Sequence, residues 1–415
     1  LSALLSPVGY VLQDVVADAM TVEAVPRVDE HGQPLPAATR RLMNTTLQTL
    51  GRVAIIGGGV LVSLVNVLMF AGVESLPPNA KAAIYSEVYA LALLIPVISV
   101  AGVLLAALLQ RRKRQRLRAR GFAEARLREL LEPPLEPVQP NWWILGGSLV
   151  FVVISLSVGL SQLPFGEEIV FLASFAVIVF LMGRLLRELD GDSRRTLLGT
   201  AIVIFVFRAV PGPGAGSTWW MIDALGFDQS FLAKLSLIAS VLTLLGLFTF
   251  RRFMAERSIA YIAGFLTLAG TLLSLPTLGM YYGLHEWTAA HTGGIVDARF
   301  IALIDTALES PLGQIAMVPM LAWIANSAPA NLKATYFAVM ASFTNLALSA
   351  SQLGTRYLNQ IFEVNREVRD PLTNALTTPA DYSQLGSLFM VSIVLGLVLP
   401  FAAIWLTRTL KLRSA

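Results

Sequence analysis

The stretch Val103-Leu104-Leu105-Ala106-Ala107-Leu108-Leu109-Gln110-Arg111-Arg112-Lys113-Arg114-Gln115-Arg116-Leu117-Arg118-Ala119-Arg120 decides the fold. An apolar run that begins near 83 meets seven basic residues within ten positions. A run of that length spans a bilayer as a helix, and Lys and Arg at one end mark the cytoplasmic side. The rest of the chain repeats the pattern. Its 415 residues are 55% hydrophobic and 14% charged, with mean hydropathy +0.67, whereas a soluble domain has about 25% charged residues. Long unbroken runs specify helices, because a barrel would show short alternating segments. The net charge of +4 and the pI of about 9.4 reside in loops, so no nucleic acid partner is expected. Cysteine is absent, which excludes disulfides, thiol catalysis and Cys metal sites.

Eleven apolar spans are read, near 1–25, 50–72, 83–109, 142–163, 167–187, 196–211, 230–250, 258–281, 298–325, 333–360 and 385–408. The short run at 196–211 passes into Pro211-Gly212-Pro213-Gly214-Ala215-Gly216 and resumes at Ser217-Thr218-Trp219-Trp220-Met221. This predicts one interrupted helix. One set of alternate loops carries Arg27, Arg40 and Arg41, then 111–120, Arg194 and Arg195, Arg251, Arg252 and Arg257, Lys333, and finally Arg408, Lys411 and Arg413. The opposite set holds only Lys81, Arg299, Arg366 and Arg369. The C-terminus is therefore expected in the cytoplasm.

Three spans precede the basic segment and eight follow it. Transporters often consist of two six-helix halves. The expected division is 1–109 as the last three helices of an N-terminal bundle and 110–141 as a basic cytoplasmic linker. An inserted transmembrane hairpin at 142–187 and a C-terminal six-helix bundle at 188–415 follow. The chain opens inside an apolar run without a signal peptide, and three further helices are expected upstream, giving fourteen. The linker could contact anionic lipid or serve only as a stop-transfer connection.

Polar residues inside the spans carry the chemistry. Asp14 and Asp18 are four apart and share a helix face, about 18 and 12 Å from the cytoplasmic end at 1.5 Å per residue. Each costs roughly 2.5–3.5 kcal/mol to insert near the bilayer centre. Intramembrane acids serve ion coupling or substrate binding, or clamp a neighbouring helix. Arg208, in Phe205-Val206-Phe207-Arg208-Ala209-Val210-Pro211, lies about 18 Å from the inner face. Its guanidinium suits a carboxylate of the substrate or of the protein. Asp305 and Glu309 form a second acidic i, i+4 pair. Ser342, Asn345, Ser349 and Gln352 share one face of the span at 333–360 and could line a cavity or pack helices. Trp142, Trp143, Trp219, Trp220 and Trp287 are read as interfacial belts. Asp223 and Lys234 are read as gate or interface residues, and Gly57-Gly58-Gly59 as a close helix contact. His285, Glu286, His291 and Asp297 share an outer loop whose spacing fits no dedicated metal pattern. No P-loop or nucleophile motif is present, and no metal, cofactor or enzymatic activity is expected.

The stretch Asp14-Val15-Val16-Ala17-Asp18-Ala19-Met20-Thr21-Val22-Glu23 resembles the acidic signature of the folate–biopterin transporter family, a branch of the major facilitator superfamily. Phe207-Arg208-Ala209-Val210-Pro211-Gly212-Pro213-Gly214 and Asn331-Leu332-Lys333-Ala334-Thr335-Tyr336-Phe337-Ala338 are similar to that family's second-half segments. The resemblance implies an all-α polytopic, two-bundle carrier that moves folates or pterins by alternating access, coupled to protons. On this reading Arg208, Asp305, Glu309 and Asn345 contact substrate, and Asp14 and Asp18 carry the proton. The expected location is a bacterial inner membrane, with a plastid or thylakoid membrane as the alternative. Two rivals remain open: a carrier of another amphipathic anion or drug, and a non-transporting assembly partner that docks through the 142–187 hairpin.

Overall fold

The computed structural model describes residues 35–69, 77–121, 142–161, 163–187, 189–327, 333–369 and 375–414, together with residues 9, 13, 33, 123, 124 and 127. Asp14 and Asp18 lie outside the described residues, as does the expected span at 1–25 apart from residues 9 and 13. Helices make up nearly all of the rest. They are α1 (Ala37–Met69), α2 (Pro78–Ala92), α3 (Leu94–Ala119), α4 (Trp142–Leu160), α5 (Gly166–Arg187), α6 (Gly191–Arg208) and α7 (Ala215–Asp223). There follow α8 (Gln229–Thr249), α9 (Arg251–Glu256), α10 (Ile259–Tyr281), α11 (Leu284–His291), α12 (Ala298–Glu309), α13 (Met317–Ser327), α14 (Lys333–Ile361) and α15 (Leu385–Thr409). Between α14 and α15, β1 (Val368–Arg369) and β2 (Leu376–Thr378) pair antiparallel.

Among the described residues seven stretches are long and apolar enough to cross a membrane: Leu42–Met69, Ser86–Ala119, Gly166–Arg187, Ser230–Thr249, Ile259–Tyr281, Ala298–Ile324 and Leu385–Thr409. The apolar helix Leu145–Leu160 is shorter. Several helices begin on a side chain that takes up a free N–H. Asp190 accepts from Ser193 N at 2.9 Å, Asp228 from Phe231 N at 2.7 Å and Asp297 from Phe300 N at 2.8 Å. Each such cap contributes about 1 kcal/mol.

The span expected at 298–325 is present as Ala298–Ile324, but it is not one continuous helix: α12 stops at Glu309, a 3-10 turn covers Ser310–Leu312, and α13 starts at Met317. Pro311 causes the stop, since it lacks an N–H and its ring collides with the preceding turn. The Ser310 carbonyl accepts from Thr243 Oγ1 of α8 at 2.8 Å. Gly246 lets α8 come this close, because a Cβ there would lie 2.2 Å from the Pro311 carbonyl oxygen.

The core is a chain of helix contacts. Met182 and Leu185 of α5, Leu197 and Ile204 of α6, Ile324 of α13, and Tyr336 and Met340 of α14 form one cluster. The second half of the 142–187 hairpin is thus packed into the interior through α5. Leu247, Met254, Ile262, Ile315 and Val318 form another cluster, on which Val53 and Ile56 of α1 lie. Trp220 belongs to a third cluster, in ring contact with Tyr281 and Phe389. The belt assignment of Trp220 is therefore wrong; the residue sits against the Met280 and Leu385 turns of α10 and α15, where its ring fills the core. Nor is there a close contact at Gly57, Gly58 or Gly59, where a Cβ would meet nothing within 4 Å among the described residues. The flanks of α3 expose Leu94, Val97, Ile98, Leu104 and Leu105, as a bilayer-facing helix does.

Replacing Gly246 by Val should destabilise the protein by at least about 1–3 kcal/mol through overpacking. Thermal unfolding in detergent should show a lower midpoint for Gly246→Val and a smaller drop for Gly246→Ala.

Candidate functional site

Arg208 is the last residue of α6. Beyond it the chain leaves the helix and runs without regular structure through residues 210–214 before α7 begins. Pro211 and Pro213 carry no N–H, and Gly214 has φ +73°, a conformation that favours glycine. This is the interruption read from the sequence. Backbone groups freed at membrane depth need partners inside the protein. Helix α14 supplies them: Ser351 Oγ donates to Val210 O at 2.6 Å, Gly212 N donates to Thr355 Oγ1 at 3.0 Å, and Asn359 Nδ2 donates to Pro213 O at 3.3 Å. Ser351, Thr355 and Asn359 are four residues apart, so one helix face presents all three.

Beside this break lies a cavity of about 310 Å³, lined by Arg52 of α1, Phe207 and Arg208 of α6, Ile262 of α10, and Gln314 and Met317 at the second break. The two interrupted helices thus meet at the same space. Arg208 Nη1 donates toward the Met317 sulfur. Two polar atoms of the wall, Arg208 Nε and Gln314 Oε1, are buried without a hydrogen-bond partner among the described residues. Such atoms are costly in a dry protein. The cavity therefore offers cationic donors, a carbonyl acceptor and apolar walls, which suits an amphipathic anion.

The remaining expected site residues are not in this cavity. Asp305 is partly buried on α12, where Oδ2 accepts from Thr277 Oγ1 at 3.5 Å and Oδ1 is buried without a partner among the described residues. Glu309, one turn on, is exposed, as is Asn345 on α14. Ser349 and Gln352 line a different cavity, of about 810 Å³, between α4, α5 and α14. Its rim residue Arg356 donates to Glu167 at 2.7 Å. Arg52 and Gln314 were not foreseen. Arg52 lies two residues from the expected start of its span at 50. The working polar face of α14 was legible in the spacing of Ser351, Thr355 and Asn359 but was placed one register away.

At the far end of α7, Asp223 receives Arg366 Nε and Nη2 at 3.2 and 3.0 Å and the Tyr382 hydroxyl at 2.5 Å. Both partners come from the loop that carries the β-pair. The Arg366 and Tyr382 hydrogen bonds hold the Asp223 carboxyl below the usual carboxylate range. Burial first, and then the bond to Asp223, pushes the Tyr382 phenol up to about 12.

A model of the BT1 family matches residues 138–411. The chain belongs to the BT1 family. That family is one of transporters, not of enzymes, and this BT1 chain is an integral, multi-pass membrane protein. It is also similar to a protein named "Folate-biopterin transporter" from Synechocystis sp., at 30% identity over 154 residues. That match covers 37% of this chain and 30% of the relative, so it spans under a third of the relative's length. No solved structure matches.

Two measurements test this geometry. Thr355→Val leaves the Gly212 N–H without its acceptor and should cost about 1–3 kcal/mol, seen as a lower unfolding midpoint that Thr355→Ser restores. The Asp223 contact has a definite pH window. A carboxyl lowered in the folded state stabilises above the ordinary carboxylate pKa and loses that effect as pH falls through its folded value. A phenol raised in the folded state opposes folding once unfolded Tyr ionises, near pH 10. The midpoint difference between wild type and Asp223→Asn should hence be flat between about pH 5 and 9 and shrink beyond both ends.

Proposed function

We propose that this BT1 protein is a secondary active carrier of folates or pterins, driven by protons and working by alternating access between two helical bundles. The observation that carries the reading is the cavity between two interrupted helices, whose lining includes the Arg208 and Gln314 side chains. Interrupted helices at a central cavity are a general device of transporter sites, because unwound backbone is tolerated where it lines a cavity. The name of the Synechocystis relative supports the substrate class. Arg208 takes a carboxylate of the substrate by charge-assisted hydrogen bonds, and the apolar wall with Phe207 receives its planar ring. Asp305, Glu309 and Asn345 stand outside this cavity and receive no substrate contact in it. Asp14 and Asp18 remain the proposed proton carriers.

The cavity is lined by Ile259 and Ile262, at the start of α10, just after the basic segment with Arg251, Arg252 and Arg257. On the positive-inside reading that end is cytoplasmic, while Asp223, Arg366 and Tyr382 fasten the opposite end. The arrangement fits a state loaded from, or emptied to, the cytoplasm, in a bacterial inner membrane.

Full-length protein in proteoliposomes should take up labelled folate or biopterin when a pH gradient is imposed. Arg208→Gln should lower kcat/KM for folate about 10–100-fold, the loss expected from removing a charge-assisted contact. The double variant Asp14→Asn, Asp18→Asn should lose the response to the gradient. Wild-type uptake by Arg208→Gln would remove the basis of this reading. Inhibition by unrelated amphipathic anions, without inhibition by folate, would reassign the substrate.

A further inference from the structure

The cavity of about 810 Å³ between α4, α5 and α14 has a layered lining. Glu167 and Arg356 stand at one end, joined at 2.7 Å, beside the α4–α5 turn. Gln352 and Ser349 follow on the same face of α14, about 6 and 10 Å deeper at 1.5 Å per residue. Leu346, about 15 Å from Arg356 on that scale, is buried, and Phe151 of α4 joins it at the apolar end. Ser174, deeper than Glu167 on α5, donates its hydroxyl to Val170 O of its own helix. On the positive-inside reading the α4–α5 turn is on the outer face, because the basic segment precedes α4 and Arg184 and Arg187 end α5. Charge, then amide and hydroxyl, then hydrocarbon is the order of a phospholipid in the outer leaflet. Helix α4 also meets the bilayer: Phe151, Ser155 and Val158 line the cavity, while the opposite helix face exposes Leu149, Val153, Leu156 and Leu160.

The charges at the outer end select the head. Arg356 Nη1 lies 2.7 Å from Glu167 and 3.9 Å from Glu168, so two carboxylates share one guanidinium. An anionic head adds to that surplus, and a choline head has no N–H to give. An ethanolamine head brings an ammonium for the carboxylates and a phosphate for Arg356, whose five N–H groups exceed what one carboxylate accepts. We propose that this cavity seats one phospholipid with an ethanolamine head. Its phosphate lies on Arg356 and its ammonium on Glu167 and Glu168. Gln352 and Ser349 donate to its ester carbonyls, and its chains lie against Phe151 and Leu346. The lipid ties the hairpin α4–α5 to α14. The site is separate from the Arg208 cavity and does not rest on the carrier reading.

The test titrates purified full-length protein in detergent with three phospholipids of identical chains, bearing ethanolamine, choline or glycerol heads. A fourth probe is glycerophosphoethanolamine, the head without chains. Native mass spectrometry counts the bound molecules. Wild type should hold one ethanolamine lipid at least about tenfold more tightly than either other lipid, and the bare head more weakly than all three. The double variant Glu167→Gln, Glu168→Gln should lose the preference over choline. Ser349→Phe, which fills the cavity, should weaken the ethanolamine lipid at least about tenfold, and unfolding midpoints report whether the variant is folded. Gln352→Leu, a milder change, should weaken it about fivefold, the loss of one hydrogen bond. Equal binding of the three lipids, a preference for the choline or glycerol head, or unchanged binding by the folded variants overturns the proposal. Binding of the bare head as tightly as the lipid overturns it in favour of a soluble phosphate ester.

Discussion

A peptide group inside a membrane has no water to turn to, so every broken turn of helix must find its hydrogen bonds within the protein. The organisation around the cavity follows from that constraint. At residues 210–214 the sequence breaks a helix with two prolines and a left-handed glycine. The break persists because Ser351, Thr355 and Asn359 lie against it. Without that face, the open carbonyls and the Gly212 N–H would cost several kcal/mol together. With it, α6 can end at Arg208 and leave the guanidinium at the edge of an internal space. The second break obeys the same rule by a different route, using the Thr243 hydroxyl and the bare surface of Gly246.

The two breaks also account for the surroundings of the arginines on the cavity wall. An arginine held near a bilayer centre carries an insertion cost of roughly 2.5–3.5 kcal/mol on translocon scales. A continuous helix would set its side chains against neighbours in a dry contact. An interrupted helix opens a polar pocket, where a guanidinium meets carbonyl, amide and sulfur atoms. Arg208 against Met317 and Gln314 beside it is that situation. The apolar clusters then act as spacers. Cluster contacts at Val53 and Ile56 hold α1, and so Arg52, in reach of the cavity. In lipid these contacts work by close packing rather than by the hydrophobic effect, so the shape of the core decides where the charges lie.

Much of the architecture was legible in the sequence because a membrane leaves few options. Apolar length gives the helices, and Pro211, Pro213 and Gly214 announce the first break. The second break carried the same kind of signal in Pro311 and Gly313, but apolar residues on both sides made the run read as one span. Arg52 was hidden for a related reason: with a span drawn from 50, a residue near its start reads as interfacial. The structure extends α1 back to Ala37 and places the same residue deep within it. Tryptophan was misread at Trp220 because an aromatic near a helix end has two fates, belt or core. Only packing against Tyr281 and Phe389 separates them. The acidic pair Asp305 and Glu309 shows the limit of spacing arguments, since sharing a helix face does not say which cavity that face meets.

The strengths of these contacts differ in a way that bears on motion. The ladder from α14 and the Thr243 bond lie in part-buried surroundings, where an unmade hydrogen bond is expensive. The charged ties are more exposed: Arg366 to Asp223, Arg299 to Asp228, and Arg356 to Glu167. Exposed ion pairs of this kind contribute about 0–1 kcal/mol each. A molecule built this way resists changes at its breaks and yields at its rim. On the carrier reading, α6, α7 and α14 would move as one body, carrying Arg208 with them, while the rim pairs open and close. The cavity would then change its exposure without dismantling the hydrogen bonds that create it, and alternating access requires that combination.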